Sequence, residues 1–445
     1  MPADLGAELT AAVQSAIAAG ELPPAAGQVV PSGTWRPAGV RRYATSLPFE
    51  LSRIAGRDPR AVAAALGQAL AGVSWVSSAE VTGAGYLTID VTPAALAAVA
   101  VRISRAGLSC ACGGAVGDPA LTGLSEIGLS ETGAARTGRA LPDLAAAAGW
   151  REAGQAQAAA VTARLRWAAL TPLPEDGRLP DGDGENTDTK RELPGSRPAR
   201  PVAEPAVSAV PGARLGRPVA EPAASAAPGA RPARAVAEPA ESAAPGARPA
   251  VPAAGSVASA VSYAGADAVR YWITRNPVWP DRGPAVASLA TRDLANPWYA
   301  VTFARADAAR TGRWATALRL ARDEHAPPAE RLAGLLGAPA EVALLDRLSW
   351  LGERVAGAAR RARPADLAHY LEDLAAAWLD CRESCPALPF GGAAAPRTPA
   401  GIRARLLLAG AAATALAAGL ELAGMSPPGS GQAGRDTIVA GSPGL

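Results

Sequence analysis

Residues Leu367–Cys385 read LAHYLEDLAAAWLDCRESC, and Leu367, Leu371, Leu374, Trp378, Cys381 and Cys385 are separated alternately by four and three positions. Steps of four and three follow the 3.6-residue helical turn, so these six side chains fall on one stripe of a helix. The same alternation runs through Ile402, Leu406, Ala409, Ala413, Leu416 and Leu420, and through Leu344, Leu348, Leu351 and Val355. With helical segments over Ala300–Arg322 and 328–336, the pattern predicts an all-α bundle of about five helices within residues 257–428.

On the N-terminal side of this bundle the composition changes. RPVAEPAVSAVPGAR from Arg200, RPVAEPAASAAPGAR from Arg217 and RAVAEPAESAAPGAR from Arg234 repeat with a period of 17. Proline at this density removes amide donors and fixes φ, so no helix or sheet ladder runs through it. The repeat holds no aromatic residue and nothing apolar larger than valine, too little to offset the entropy of ordering. Residues 173–256 therefore read as a disordered Pro/Ala-rich linker, and 429–445 as a disordered Gly/Ser/Pro tail. Residues 107–172 are rich in small residues and read as undecided, partly helical.

Residues 1–106 carry mixed patterning. Leu5, Leu9, Val13 and Ile17 mark an amphipathic helix, a second covers about 44–55, and Asp58-Pro59 opens a third through Leu70 with an N-cap and a first-turn proline. Ser74–Ser77 and Glu80–Val91 read as strands, with Leu87, Ile89 and Val91 on one face of the second. Gly83-Ala84-Gly85 inside that run reads as a bulge. Thr92-Pro93 then caps a helix to about Arg105. The fold class predicted for the whole chain is α+β, mainly α, with a small α/β module, a linker and a helical bundle.

Composition excludes several chemistries. The chain of 445 residues has 2 histidines, and Lys190 is its single lysine. Two imidazoles cannot build a three-histidine metal centre, and a chain whose only lysine lies in low complexity has no P-loop. Cys110-Ala-Cys112 lacks a second ligand pair, and Cys381 and Cys385 lie on the packing stripe as small hydrophobes. His369 falls off that stripe and His325 lies in a DEHAPP loop, neither beside a nucleophile. No metal and no cofactor are expected. A net charge of +3 implies no polybasic coat, so any nucleic-acid surface must be local. The N-terminus lacks a secretory pattern, and Leu406–Gly424 reads as a buried bundle helix rather than a span, which predicts a cytoplasmic protein with no membrane partner.

Both ordered ends resemble arginyl-tRNA synthetase. The segments Tyr43–Arg53, Gly56–Arg60 and Val81–Ile89 are similar to that family's additional N-terminal domain, which touches the D-loop corner of tRNA. Asp267–Trp272 resembles the segment closing the family's catalytic region. Asn296-Pro297-Trp298-Tyr299-Ala300-Val301-Thr302-Phe303-Ala304-Arg305-Ala306 resembles the signature that opens the DALR anticodon-binding bundle, and Leu374–Trp378, Cys385–Leu388 and Leu420–Met425 follow it. The resemblance covers roughly residues 1–105 and 262–427.

The departures are equally informative. The family's arginine–tRNA ligation needs a Rossmann core whose histidines and lysines stabilise the transferring phosphate. Between Ala106 and Val261 there is no histidine, and the lone lysine lies beside the proline-rich repeats. Within the bundle signature the family's first Tyr, its Gln and its His fall at Ala300, Thr302 and Arg305. The resemblance thus implies a pseudoenzyme that binds tRNA, with arginine tRNA among the candidates, or another structured RNA. Stacking and base-edge contacts require aromatics beside arginines. Tyr299, Arg305, Arg310 and Arg313 supply them in the bundle, and Arg41, Arg42, Tyr43 and Arg53 supply a smaller set in the N-terminal module. Two such sites on one tether would gain through effective concentration. The alternative is a protein-interaction module that kept the fold and lost RNA binding.

Overall fold

The computed structural model describes residues 1–29, 33–112, 143, 144, 147, 149–170, 256–278, 283–320, 327–388 and 398–425. The predicted linker, apart from Ser256, the predicted tail, His325 and Lys190 all lie outside these residues.

The first helix, α1 (Pro2–Ala18), buries Leu5, Leu9 and Val13 as its spacing requires. Two short strands follow, β1 (Trp35–Gly39) and β2 (Arg42–Thr45), where the sequence reading begins a helix at about 44. The helix starts later, as α2 (Leu47–Ala55), because Tyr43 and Thr45 turn inward from β2 and are fully buried. In α3 (Pro59–Leu70) proline occupies the first turn, but the Asp58 side chain makes no capping bond. Strands β3 (Val76–Thr82) and β4 (Tyr86–Val91) complete an antiparallel sheet in the order β1-β2-β4-β3. Among the described residues this is the only sheet, and it has no parallel pair.

Gly83–Gly85 form the β3–β4 hairpin turn rather than a bulge. Thr82 pairs with Tyr86 across the turn, and Gly83 and Gly85 take φ of 57° and 132°. A Cβ on Gly85 would lie 2.7 Å from the Pro59 Cβ, so α3 approaches the turn too closely for any side chain. Leu87, Ile89 and Val91 are buried on one face of β4, as alternation predicts. Thr92 then caps α4 (Pro93–Ala106), its hydroxyl accepting from the Ala95 amide at 3.2 Å.

The C-terminal half is all helical: α6 (Val257–Ala264), α7 (Ala266–Arg275), α8 (Val286–Ala290), α9 (Pro297–Ala317), α10 (Ala329–Leu335), α11 (Pro339–Ser349), α12 (Leu351–Arg361), α13 (Pro364–Ser384) and α14 (Pro399–Leu422). The stripe Leu344–Val355, which reads as one helix, breaks at Trp350 between α11 and α12. Leu367, Leu371, Leu374, Trp378, Cys381 and Cys385 are all buried, and burial pushes the Cys381 thiol up to about 12. Among the described residues two helices, Pro399–Leu422 and the stretch Pro93–Ala111, are long and apolar enough to cross a membrane. About half of each is buried against the rest of the fold, as in core helices of this length.

The N-terminal module and the C-terminal bundle share a core. One hydrophobic core runs from Met1 through Leu96, Leu348 and Leu371 to Met425. Helix α4 packs on α10, α11 and α14, filling the side of the bundle that its Ala/Val face complements. Tyr43 donates to or accepts from Ser349 Oγ at 2.7 Å, with its ring 5.2 Å from that of Trp350. The Arg41 amide donates to Asp346 Oδ1 at 3.0 Å. Sites on the two ends are therefore held by one core, and a flexible tether adds no effective concentration between them.

A further helix, α5 (Trp150–Leu170), emerges from the undecided stretch and packs on α7 and α12. Val161, Leu165, Ala168 and Ala169 enter the main core. Trp150 instead joins a smaller cluster with Val257, Val269, Ile273 and Leu289, meeting the Trp272 ring edge to face at 5.3 Å. Gln157 Nε2 donates to the Ala423 carbonyl at 3.0 Å, tying α5 to the end of α14. Leu170 and Ser256, the described residues on either side of the proline-rich repeats, belong to the same folded unit.

Candidate nucleic-acid interface

Helix α9 positions the main candidate site. Asn296 caps it, its Oδ1 accepting from the Trp298 amide at 3.2 Å, and Pro297 stands in the first turn. One face points into the bundle: Val301, Ala304, Ala308 and Ala315 are buried. At 100° per residue, Tyr299, Phe303, Ala306, Arg310, Arg313 and Trp314 lie on the opposite face. The first three are half-buried and the last three exposed. The Tyr299 and Phe303 rings stack with centroids 5.7 Å apart and planes 24° apart. One helical stretch on, the Arg310 guanidinium lies 5.9 Å from the centroid of Trp314, whose surface is 49% exposed. Cation–π contact holds both groups in place while leaving the other indole face open.

Past Ala308 the helix loses most of its contact with the bundle. From 309 to 319 only Ala315 is buried, and Leu318 is 58% exposed. This stretch carries Arg310, Arg313 and Arg319 and no acid. Asp307, the last carboxylate before it, is spent inward, accepting from Trp378 Nε1 at 3.2 Å and pairing with Arg382 at 3.1 Å. The projecting turns are therefore cationic and aromatic together.

Arg305 lies on the flank of the same helix. It is half-buried, its Nε has no hydrogen-bond partner among the described residues, and desolvation lowers its pKa. A guanidinium partly stripped of water without a carboxylate partner interacts more strongly with an arriving anion than a hydrated one does. Tyr299, Arg310 and Arg313 are thus brought onto one face, with Arg305 beside it. Phe303 and Trp314 are the members that the sequence reading missed. Their spacing from Tyr299 and Arg310, four residues in each case, was the available signal.

The smaller set in the N-terminal module is not assembled. Tyr43 corrects the expectation of a stacking platform: it is fully buried, hydrogen-bonded to Ser349, and burial followed by the nearby Asp346 charge raises its phenol well above the usual range. Arg42 is committed to Asp90 through two bonds of 2.8 and 2.7 Å. Arg41 has φ of 61°, and its amide is held by Asp346. Arg53 is exposed on α2, while Arg57 and Arg60 donate to the carbonyls of Glu21 and Gly83. What remains is a sparse row of arginines, with Phe49 and Tyr86, half-buried and with ring centroids 4.9 Å apart, as an aromatic pair in the same part of the chain.

Known proteins give the following likenesses. Residues 8–91 match the arginyl tRNA synthetase N terminal domain family, and residues 313–430 match the DALR anticodon binding domain family. The second match begins at Arg313, beyond the Asn296–Ala306 segment. An arginine–tRNA ligase of Frankia alni is 34% identical over 24% of this chain and 20% of its own length. That of Clavibacter sepedonicus is 33% identical over 38% of this chain and 29% of its own. A solved arginyl-tRNA synthetase of Thermus thermophilus aligns with 26% identity over 39% of this chain and 28% of its own, at a TM-score of 0.29, an overlap too low to bear on the fold. The chain spans less than a third of the length of these curated relatives. Its likeness to arginyl-tRNA synthetases lies in these two domains.

Proposed function

We propose that this chain is a non-catalytic relative of arginyl-tRNA synthetase that binds tRNA or a tRNA-like RNA in the cytoplasm. One observation carries the proposal: a bundle helix turns Tyr299, Phe303, Arg310, Arg313 and Trp314 outward on one face, with Arg305 at its flank, while its carboxylate, Asp307, is engaged by Trp378 and Arg382. Unpaired bases bind by stacking on aromatic rings while arginines neutralise the phosphates between them. Arginine tRNA is one candidate ligand through the kinship of the two matched domains. The ligase reaction is not assigned, because among the described residues the one sheet is antiparallel and offers no crevice at the carboxyl ends of parallel strands where a nucleotide could sit. Neither a cofactor nor a membrane partner is part of the proposal.

A second reading takes the exposed Trp314 and Leu318 as contacts for a protein partner, with RNA affinity lost. Charge reversal separates the two. Arg310→Glu with Arg313→Glu, titrated with purified tRNA by anisotropy, is expected to bind at least about tenfold more weakly than the parent chain at low salt. Unchanged tRNA affinity would count against this face as the RNA site. An ATP–pyrophosphate exchange assay with arginine is expected to give no turnover, and measurable turnover would overturn the non-catalytic reading.

A further inference from the structure

The polar groups of α9 limit what the face can read. Thr302 donates to the Trp298 carbonyl at 2.8 Å, Thr311 to Asp307 at 3.0 Å and Thr316 to Gly312 at 3.2 Å, so each hydroxyl is turned back onto its own helix. Asn296 is fully engaged as well, donating to the carbonyls of Thr291 at 2.7 Å and Leu289 at 3.2 Å while its oxygen caps Trp298. Asp307 faces Trp378 and Arg382. Direct readout of a base uses amides, carboxylates or a guanidinium fork positioned to meet two atoms on one base edge. On this helix the amide and the carboxylate are spent, the Arg310 fork lies against the Trp314 ring, and Arg313 and Arg319 are exposed with no described neighbour that fixes either fork toward a base edge. What the face offers is π surface and positive charge, with only the Tyr299 phenol and the Trp314 indole N–H at the ring edges.

From these commitments, and resting on the nucleic-acid reading above, we infer that the α9 face binds unpaired nucleic acid without regard to base identity, with Phe303 and Trp314 as its stacking platforms. Every base has a π face, so stacking is tolerant of sequence, and phosphate contacts carry no sequence information. The two platforms lie eleven residues apart, which is about 16 Å along the helix, so a strand of several nucleotides can engage both. A duplex hides the faces of its bases and offers only phosphates. No described group on the face is placed to require a 2′-hydroxyl, so single-stranded DNA binds alongside RNA.

The test uses the full chain and 5′-labelled twelve-nucleotide homopolymers of U, A and C, a DNA dT strand of the same length, a matched RNA duplex and total tRNA, followed by anisotropy at one salt concentration. The single strands are expected to agree within about fivefold and to outbind the duplex. Trp314→Ala should weaken all of them about fivefold or more, while Trp314→Phe, which keeps a ring, should recover most of the loss. Trp314 is exposed, so neither variant disturbs the core. A preference above about thirtyfold for one base overturns the inference and leaves the RNA reading standing, as does loss of affinity confined to one homopolymer. Binding of tRNA with no binding of any single strand likewise overturns the inference alone. No binding of any of these ligands removes both.

Discussion

Trp314 stays half exposed because Ala315, its neighbour, is the single residue of the projecting turns that reaches the bundle. Rotation by one position would bury the indole and expose a methyl group, so the register set by the alanines of α9 is what presents the ring. Tyr43 is the opposite case. A tyrosine after two arginines is an available stacking group by composition alone, but in a strand its side chain alternates with that of Arg42, which goes outward to Asp90 while Tyr43 goes inward to Ser349. Tyr43→Phe is expected to cost about 1 kcal/mol in chemical denaturation through loss of the Ser349 bond. It should leave tRNA affinity unchanged, and a fall in affinity without a fall in stability would return Tyr43 to the binding surface. Phe303 and Trp314 escaped the sequence reading for a related reason: aromatic residues in a helix are usually core, and only the positions of Val301, Ala304 and Ala308 show which face is buried.

At the scale of elements, long apolar stripes were legible and short or polar-faced elements were not. The helices α13 and α14 follow from their spacing, whereas β2 has four residues, too few for alternation to show, and was absorbed into the next helix. Helix α5 buries Gln157 and Arg164 among alanines, and polar residues on the inner face blur the period. The break at Trp350 is invisible because the apolar spacing continues through it. Between elements, Asp4 on α1 accepts from Arg102 on α4 at 2.6 Å and lies 3.0 Å from the Met1 amine. Burial alone would raise the Asp4 pKa, yet the Met1 amine and the Arg102 guanidinium hold it well below the usual carboxylate range, with Arg102 the lasting cation at pH 7 because burial lowers the amine to about 6. A depressed folded value means that the contribution to stability is present above the unfolded value of about 4 and is lost as pH falls below it. Asp4→Asn should therefore cost about 2 kcal/mol at pH 7 and progressively less below pH 4. A cost independent of pH would show that the carboxylate's charge is not what ties α1 to α4.

At the scale of the whole molecule, the two recognisable ends form one folded unit. Sequence patterning identified both ends but not their shared core, since a stripe shows that a face is buried and not which partner buries it. Deleting Arg200–Ala250 is expected to change stability by less than about 1 kcal/mol, because loop closure depends only logarithmically on length. A large loss of Tm would give the repeats a structural role. Conversely, residues 257–428 alone should be markedly less stable than the whole, since α4 and α5 fill part of their core. A fragment with the full chain's Tm would contradict the single-unit description. The central claim, an electrostatic and stacking RNA site on α9, is tested most directly by titrating the full chain with tRNA at a series of salt concentrations. The account predicts binding whose log K falls linearly with log salt, with a slope near −2 for about three phosphate contacts, and a shallower slope in the Arg310→Glu, Arg313→Glu chain. No binding, or a slope that the two substitutions leave unchanged, would contradict it.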